Sequence, residues 1–336
     1  MVTLQKNVSL KSFNTFGIEV YGNAFVSVDS IDTLRELFAD NSLTDYLVLG
    51  GGSNVLLTQD FKGLVIHINT KGIDVVAETE KTVRVEVQAG ENWHEFVCWC
   101  LEKNYGGVEN LAMIPGSVGA APIQNIGAYG VELKDVFYSC KAFKMETLEE
   151  EEFFLKDCEF DYRTSIFKTT RKGQYVITSV QLELQKPPHT VHTAYGAITA
   201  QLGNNAATIQ NIAEAVMIIR SSKLPDPKEL GNSGSFFKNP IICKDQLERL
   251  LQKFPDLPHY PFSKTAVKVS AAWMIDFLKF KGYRKGDAGV HTKQALILVN
   301  HGKASGKEIL SVAEKIQKSV QKEFGIVLEP EVNIVG

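Results

Sequence analysis

Apolar positions in the first half of the chain fall in short, often alternating runs. Ala24–Val28, Tyr46–Leu49, Leu64–Ile68 and Val83–Val87 read as strands, as do Val136–Phe143 and Tyr175–Leu184. Ile31, Leu34, Leu37 and Phe38 mark one face of a helix. A second helix carries Trp93, Phe96, Val97, Cys100 and Leu101 at helical spacing, with Asn92 and Glu95 as its N-terminal cap. The pattern changes after Pro187-Pro188. Ile209, Ile212, Ala213, Val216 and Ile219 form one helical stripe, and Leu247, Leu250, Leu251 and Phe254 another. Ser305 and Glu308 make a capping box before Ile309, Val312, Ala313, Ile316 and Val320. Leu296–Val299 reads as a buried strand. Ile326–Leu328 and Val332–Val335 read as strands around Glu329-Pro330-Glu331. The result is an α+β chain with a boundary near residues 187–200.

Composition narrows the class. The 336 residues are 44% hydrophobic and 22% charged, enough for more than one domain with its own core. With 36 basic and 39 acidic residues the net charge is -3, so no global field draws nucleic acid or an anionic membrane. No apolar run reaches a membrane span of ~18 residues, and residues 1–20 lack a signal-peptide core. Five cysteines, an odd number with no CxxC pair, fit a reducing cytoplasm. His189 and His192 are a poor metal pair, and no metal is expected.

Candidate chemistry sits in three loops. Gly50-Gly51-Gly52-Ser53-Asn54 follows the strand Tyr46–Leu49 and matches neither GxGxxG nor GxxxxGK[ST]. It reads either as an anion-binding loop or as a tight β turn. Residues 115–130, PGSVGAAPIQNIGAYG, are glycine-rich and uncharged, and read either as backbone lying against a flat or extended ligand or as a buried connection packed on its own small residues. Neither loop contains Lys or Arg, so a pyrophosphate would be held by main-chain amides, as in a dinucleotide such as FAD. The third loop, GNSGSFFKNP at 231–240, gathers hydroxyls, an amide and a cation around Phe236-Phe237.

With Asn14-Thr15-Phe16, LGGGSNVLL at 49–57, IPGSVGAAPIQNIGAYG at 114–130, Asp161-Tyr162-Arg163, GNSGSFFKNP and LEPEV at 328–332 in this order, the chain resembles the UDP-N-acetylenolpyruvoylglucosamine reductases (MurB). Tyr195-Gly196 resembles the longer subclass, in which a tyrosine loop folds over the substrate. The resemblance implies a two-lobed FAD-binding fold of the vanillyl-alcohol oxidase type plus an α+β substrate lobe. Residues 1–70 and 71–187 would be the flavin lobes and 200–320 the substrate lobe. Residues 325–336 would return as a strand to the flavin domain.

The same resemblance implies a monomeric cytoplasmic enzyme of peptidoglycan precursor synthesis with non-covalent FAD and NADPH as co-substrate. NADPH reduces the flavin, the enolpyruvyl double bond of UDP-N-acetylglucosamine enolpyruvate accepts hydride, and a proton follows at the neighbouring carbon to give UDP-N-acetylmuramate. Arg163 matches the arginine at the substrate carboxylate, Ser235 the proton donor and Glu331 the polarising glutamate. Gly50, Gly51, Gly52, Ser53, Asn54, Pro115, Gly116, Ser117, Gly119, Asn125, Ile126, Gly127, Ala128 and Tyr129 match cofactor-binding positions. Tyr162, Tyr195, Lys223, Asn239 and Gln294 match substrate-binding positions. Asn333 departs from the family, which commonly has arginine there. The roles of Lys238 and the Phe236-Phe237 pair stay open.

Overall fold

The computed structural model describes residues 2–39 and 43–336. The chain divides into two compact units. The first takes the N-terminal residues through Val8, Gly22–Gly51 and Lys62–Ser222; the second takes Ser9–Tyr21, Gly52–Phe61 and Lys223–Gly336.

In the first unit a four-stranded sheet runs in the order Gln5–Ser9, Tyr21–Val28, Phe61–Ile68, Tyr46–Leu49. The last two strands are parallel, with Leu49 opposite His67. Helix Ile31–Ala39 buries Leu34 and Phe38 in a core with Val26, Val28, Leu64, Ile66 and Ile68. A five-stranded sheet follows in the order Glu149–Phe154, Phe137–Lys144, Tyr175–Gln185, Thr82–Gln88, Ile73–Glu78. Strand Thr82–Gln88 alternates strictly, and Val83, Val85 and Val87 are fully buried. They share one core with Trp93, Phe96, Val97 and Cys100 of helix Trp93–Glu102. Each such side chain contributes about 1.5–3 kcal/mol relative to exposure. The helix begins as its cap predicts: Asn92 Oδ1 accepts the N–H groups of His94 and Glu95 at 2.9 and 3.1 Å.

Helix Gly196–Leu202 and helix Ile209–Lys223 place Ile198, Leu202, Ile212, Ala213, Val216 and Ile219 in that same core. Their apolar stripes fill the first unit, although they lie C-terminal to the 187–200 boundary read from the sequence. Composition marks the Pro187-Pro188 break, but packing decides which sheet the later helices cover.

The second unit has a sheet in the order Gly231–Ser235, Ile297–Asn300, Ala288–Val290, Arg284–Lys285. Helix Gly306–Phe324 buries Ile309, Val312, Ala313, Ile316 and Val320. It starts at the Ser305/Glu308 capping box and ends at Gly325, φ +64°. A three-stranded sheet orders Ile241–Cys243, Ala266–Val269 and His259–Pro261. Residues 333–335 pair in parallel with Val55–Leu57, Asn333 opposite Val55. The Ile326–Leu328 strand does not form. That segment is extended and buries Leu328, but its carbonyl accepts Gln317 Nε2 at 2.8 Å instead of joining a ladder.

Candidate active site

Residues 115–130 are fixed by their own main chain. Trp93 N–H donates to the Gly116 carbonyl (3.0 Å), Val118 N–H to Glu91 (2.8 Å) and Gly119 N–H to Ala89 (2.9 Å). Two short 3-10 turns, Val118–Ala120 and Pro122–Gln124, lead to a small hairpin pairing Gly127 with Glu132 and Ala128 with Val131. Its two-residue turn is Tyr129-Gly130, with φ of +51° and +85°. Both residues lie in the left-handed region that such a turn requires. The glycine loop meets this stretch through bare backbone. A Cβ on Gly51 would lie 2.9 Å from Gly116 Cα, and one on Gly50 would collide with the Ser117 side chain. No substituted residue fits this approach.

Asn125 is fully buried in a left-handed conformation (φ +45°). Its Nδ2 donates to Glu132 Oε2 (3.0 Å) and to the Asp161 carbonyl (3.2 Å), while its Oδ1 accepts Lys134 N–H (3.0 Å). Its side chain therefore serves the protein, tying the loop to the turn that carries Tyr162 and Arg163. In that turn Asp161 and Thr164 exchange main-chain hydrogen bonds, and Arg163 has φ +55°. Arg163 Nη2 donates to the Gly127 carbonyl at 2.6 Å, and its guanidinium carbon lies 5.8 Å from the Tyr162 ring centroid. The structure thus brings Arg163, Tyr162, Asn125 and Gly127 together. Tyr195, 48% exposed, joins them through an edge-on contact with Tyr129, ring centroids 5.1 Å apart at 88°.

Arg220 belongs to this cluster and was missed in the sequence. It lies near the end of helix Ile209–Lys223, on the face of Ala213 and Val216 at i−7 and i−4. A cation at that position of an apolar stripe was the available signal. Burial pulls its guanidinium pKa below the ordinary value, hydrogen bonding with Tyr129 opposes the shift, and the charge of Arg163 adds to it. Its Nε is shielded from solvent with no hydrogen-bond partner, and no carboxylate pairs with it among the described residues. Burial in turn raises the Tyr129 phenol pKa, which the Arg220 charge opposes. Two neighbouring guanidinium groups favour an anion.

In the second unit, Ser235 ends strand Gly231–Ser235 opposite Ile297 and is exposed. Phe236 N–H donates to the Leu296 carbonyl, and Glu331 N–H donates to the Phe236 carbonyl, both at 2.8 Å. Phe237 bridges Pro330, and Lys238 N–H donates to the Glu329 carbonyl (3.0 Å). Ser235 ends its strand, and Glu331, in the bend before strand Asn333–Val335, is joined by its N–H to Phe236, the residue that follows Ser235. Phe236 and Phe237 are buried edge to face, which fixes the segment from below. Lys238 forms a loose ion pair with Glu329, 3.7 Å. Gln294 lies just before strand Ile297–Asn300, and its carbonyl accepts Ile297 N–H at 3.1 Å.

Asn54 Nδ2 donates to the Glu331 carbonyl (3.1 Å), and its own carbonyl accepts both the N–H (3.0 Å) and the Nδ2 (3.1 Å) of Asn333. Asn333 thus secures the segment that carries Glu331. Gly52 lies against the Phe13 carbonyl with φ +59°, and its own carbonyl accepts Thr15 N–H at 3.1 Å. Asn239 Oδ1 accepts Ala271 N–H at 3.0 Å, at the start of helix Ala271–Phe277. Lys223 is exposed at the end of its helix. Ser233 was also missed: it is 7% exposed, and its hydroxyl has no partner among the described residues. Those residues hold no group of three or more His, Cys, Asp or Glu arranged for a metal.

A surface of bare, uncharged main chain, flanked by a half-buried cation that pairs with no carboxylate among the described residues, fits a dinucleotide diphosphate. Matches to known proteins agree. Residues 23–147 match the family model described as an FAD binding domain. Residues 226–335 match the C-terminal domain of UDP-N-acetylenolpyruvoylglucosamine reductase. The chain is 51% identical over 335 residues to the reductase of that name from Flavobacterium johnsoniae, covering 99% of both chains. It is 46% identical over 337 residues to that of Amoebophilus asiaticus, again 99% of both. A crystal structure of UDP-N-acetylenolpyruvylglucosamine reductase from Thermus caldophilus superposes over 100% of both chains, with TM-score 0.71 at 22% identity, a likeness of fold. Fold and site define an FAD-dependent oxidoreductase. Within that class, the chain belongs to the UDP-N-acetylenolpyruvoylglucosamine reductase family.

Proposed function

We propose that this enzyme reduces UDP-N-acetylglucosamine enolpyruvate to UDP-N-acetylmuramate with NADPH, as the names of its relatives indicate. The observation that carries this reading is the hydrogen bond from Glu331 N–H to the carbonyl of Phe236, the residue that follows Ser235. Bound FAD supplies the redox chemistry, passing reducing equivalents from NADPH to the enolpyruvyl double bond. The glycine loop, Gly50 to Asn54, and Pro115, Gly116, Ser117, Gly119 and residues 125–129 would hold it.

The remaining work is polarisation and proton delivery. Arg163 and Arg220 bind carboxylate or diphosphate oxygens of the substrate, where charge builds as the double bond is reduced. Glu331 polarises the substrate carboxylate, and Ser235 Oγ gives its proton to the carbon beside it. A serine hydroxyl is a weak acid, but an enolate carbon is a strong base. Tyr162, Tyr195, Lys223, Gln294 and the Nδ2 of Asn239 contact the UDP-sugar. The enzyme works as a monomer in the cytoplasm; its free cysteines support a reducing compartment. No helix of the described residues is long and apolar enough to cross a membrane.

The test is anaerobic. Holoenzyme reduced by NADPH is expected to regain oxidised-flavin absorbance when UDP-N-acetylglucosamine enolpyruvate is added. Flavin that stays reduced would refute the reading.

A further inference from the structure

Asn110 sits in the 3-10 turn Glu109–Leu111 and is 1% exposed. Its Nδ2 donates to two main-chain carbonyls, Tyr129 at 3.1 Å and His192 at 3.0 Å. The first belongs to the left-handed turn residue of the 115–130 stretch. The second opens the segment that leads to Tyr195. Beyond His192, as far as Leu202, the hydrogen bonds among the described residues stay within the segment: Thr199 Oγ1 donates to the Thr193 carbonyl and Ile198 N–H to the Tyr195 carbonyl, both at 2.8 Å. One carboxamide therefore joins the main chains on either side of the Tyr129–Tyr195 ring contact. The Oδ1 of Asn110 is buried without a hydrogen-bond partner among the described residues. The side chain is held by its two donations alone. Aspartate offers no donor when ionised, and serine offers one.

We propose that Asn110 is a positioning residue for the Tyr195 segment. It ties that segment to Tyr129 and so sets the affinity for the UDP-sugar. The inference rests on the assignment of Tyr195 to the UDP-sugar made above. An Asn110→Ala holoenzyme is expected to show a KM for UDP-N-acetylglucosamine enolpyruvate raised about tenfold, roughly 1.4 kcal/mol. Reduction of its flavin by NADPH should be unchanged. Asn110→Asp should raise KM at neutral pH and recover relative to wild type as the pH falls, because a protonated carboxyl regains one donor. That recovery carries the test if the alanine variant fails to fold. In a Tyr195→Ala background, Asn110→Ala should add no further rise.

Equal increments from Asn110→Ala with and without Tyr195, or an aspartate variant whose KM ratio to wild type ignores pH, would overturn the proposal. Tyr195→Ala raising KM while Asn110→Ala leaves it at wild type would overturn this inference alone. Tyr195→Ala with an unchanged KM would remove the tyrosine assignment, and the inference with it.

Discussion

The glycine-rich stretches of the two units are held by different mixtures of bonds. In the first unit, residues 116–119 are secured main chain to main chain, through Trp93, Glu91 and Ala89, and pack on Gly50 and Gly51, while side chains of Asn125, Asn110 and Arg163 fix only the later part of the stretch. In the second unit, buried asparagines do the holding. Asn14 bonds the Leu10 and Ile18 carbonyls and Ile18 N–H at 2.8–3.0 Å. Asn300 Nδ2 donates to the Phe16 carbonyl while its Oδ1 accepts Gly302 and Ala304 N–H, all at 2.9 Å. Asn232 secures Pro225, Leu230 and Gly234. A surface for a flat, anionic ligand tolerates no added volume. A strand end held by side-chain amides tolerates no lost amide.

The largest expected effect separates chemistry from scaffold within the second unit. Ser235→Ala is expected to lower the rate of substrate-driven flavin reoxidation by about 10²–10⁴, the usual reach of general-acid catalysis. The rate of flavin reduction by NADPH should be unchanged in stopped-flow traces. Next comes a paired comparison of scaffolds. Asn300→Ala strands a carbonyl and two N–H groups and should cost on the order of 3 kcal/mol in denaturant unfolding, with FAD content retained in the folded fraction. Gly51→Ala forces a methyl against Gly116 and should cost about 1–3 kcal/mol, and here the readout is loss of FAD on gel filtration. If the two variants exchanged phenotypes, the contrast between the units would be wrong.

The smallest effect tests the first unit's loop through pH. Burial holds the His94 pKa below its ordinary 6.5, with Arg220 adding to the shift and Glu95 opposing it. The neutral ring accepts Met113 N–H at Nδ1, 3.2 Å, just before the loop begins. A lowered folded pKa means the unfolded state takes up the proton first as pH falls. The stability that His94 contributes is therefore present above 6.5 and lost as pH drops through the lower folded value. His94→Gln should flatten that part of the melting-temperature profile, and an unchanged slope would rule His94 out.

Much of this was legible beforehand, for identifiable reasons. Strands such as Thr82–Gln88 alternate strictly, and helix Gly306–Phe324 carries both its cap and its stripe. Ile326–Leu328 misled because a buried extended segment has the composition of a strand whether or not a neighbour offers a ladder. Arg220 was hidden by its apolar neighbours. Asn54 and Asn125 matched cofactor positions by motif, yet the bonds of their side chains to Glu331 and Asp161 join residues far apart in sequence. Periodicity cannot report such pairs. The helices at 196–223 show the same limit: their stripes were visible, but not the sheet that they cover.

The bond from Asn54 to the Glu331 carbonyl spans 277 residues, and the strand Val55–Leu57 finds its parallel partner at Asn333–Val335. At ~5–20 residues per second, a ribosome needs tens of seconds to supply that partner. Until then the strand following the glycine loop has an open edge, and the segment bearing Glu331 does not exist. The sheets of the first unit use strands no later than Tyr175–Gln185 and can form early, whereas this strand pair is among the last contacts to form. The interval between is the one in which an unpaired strand edge most needs a chaperone.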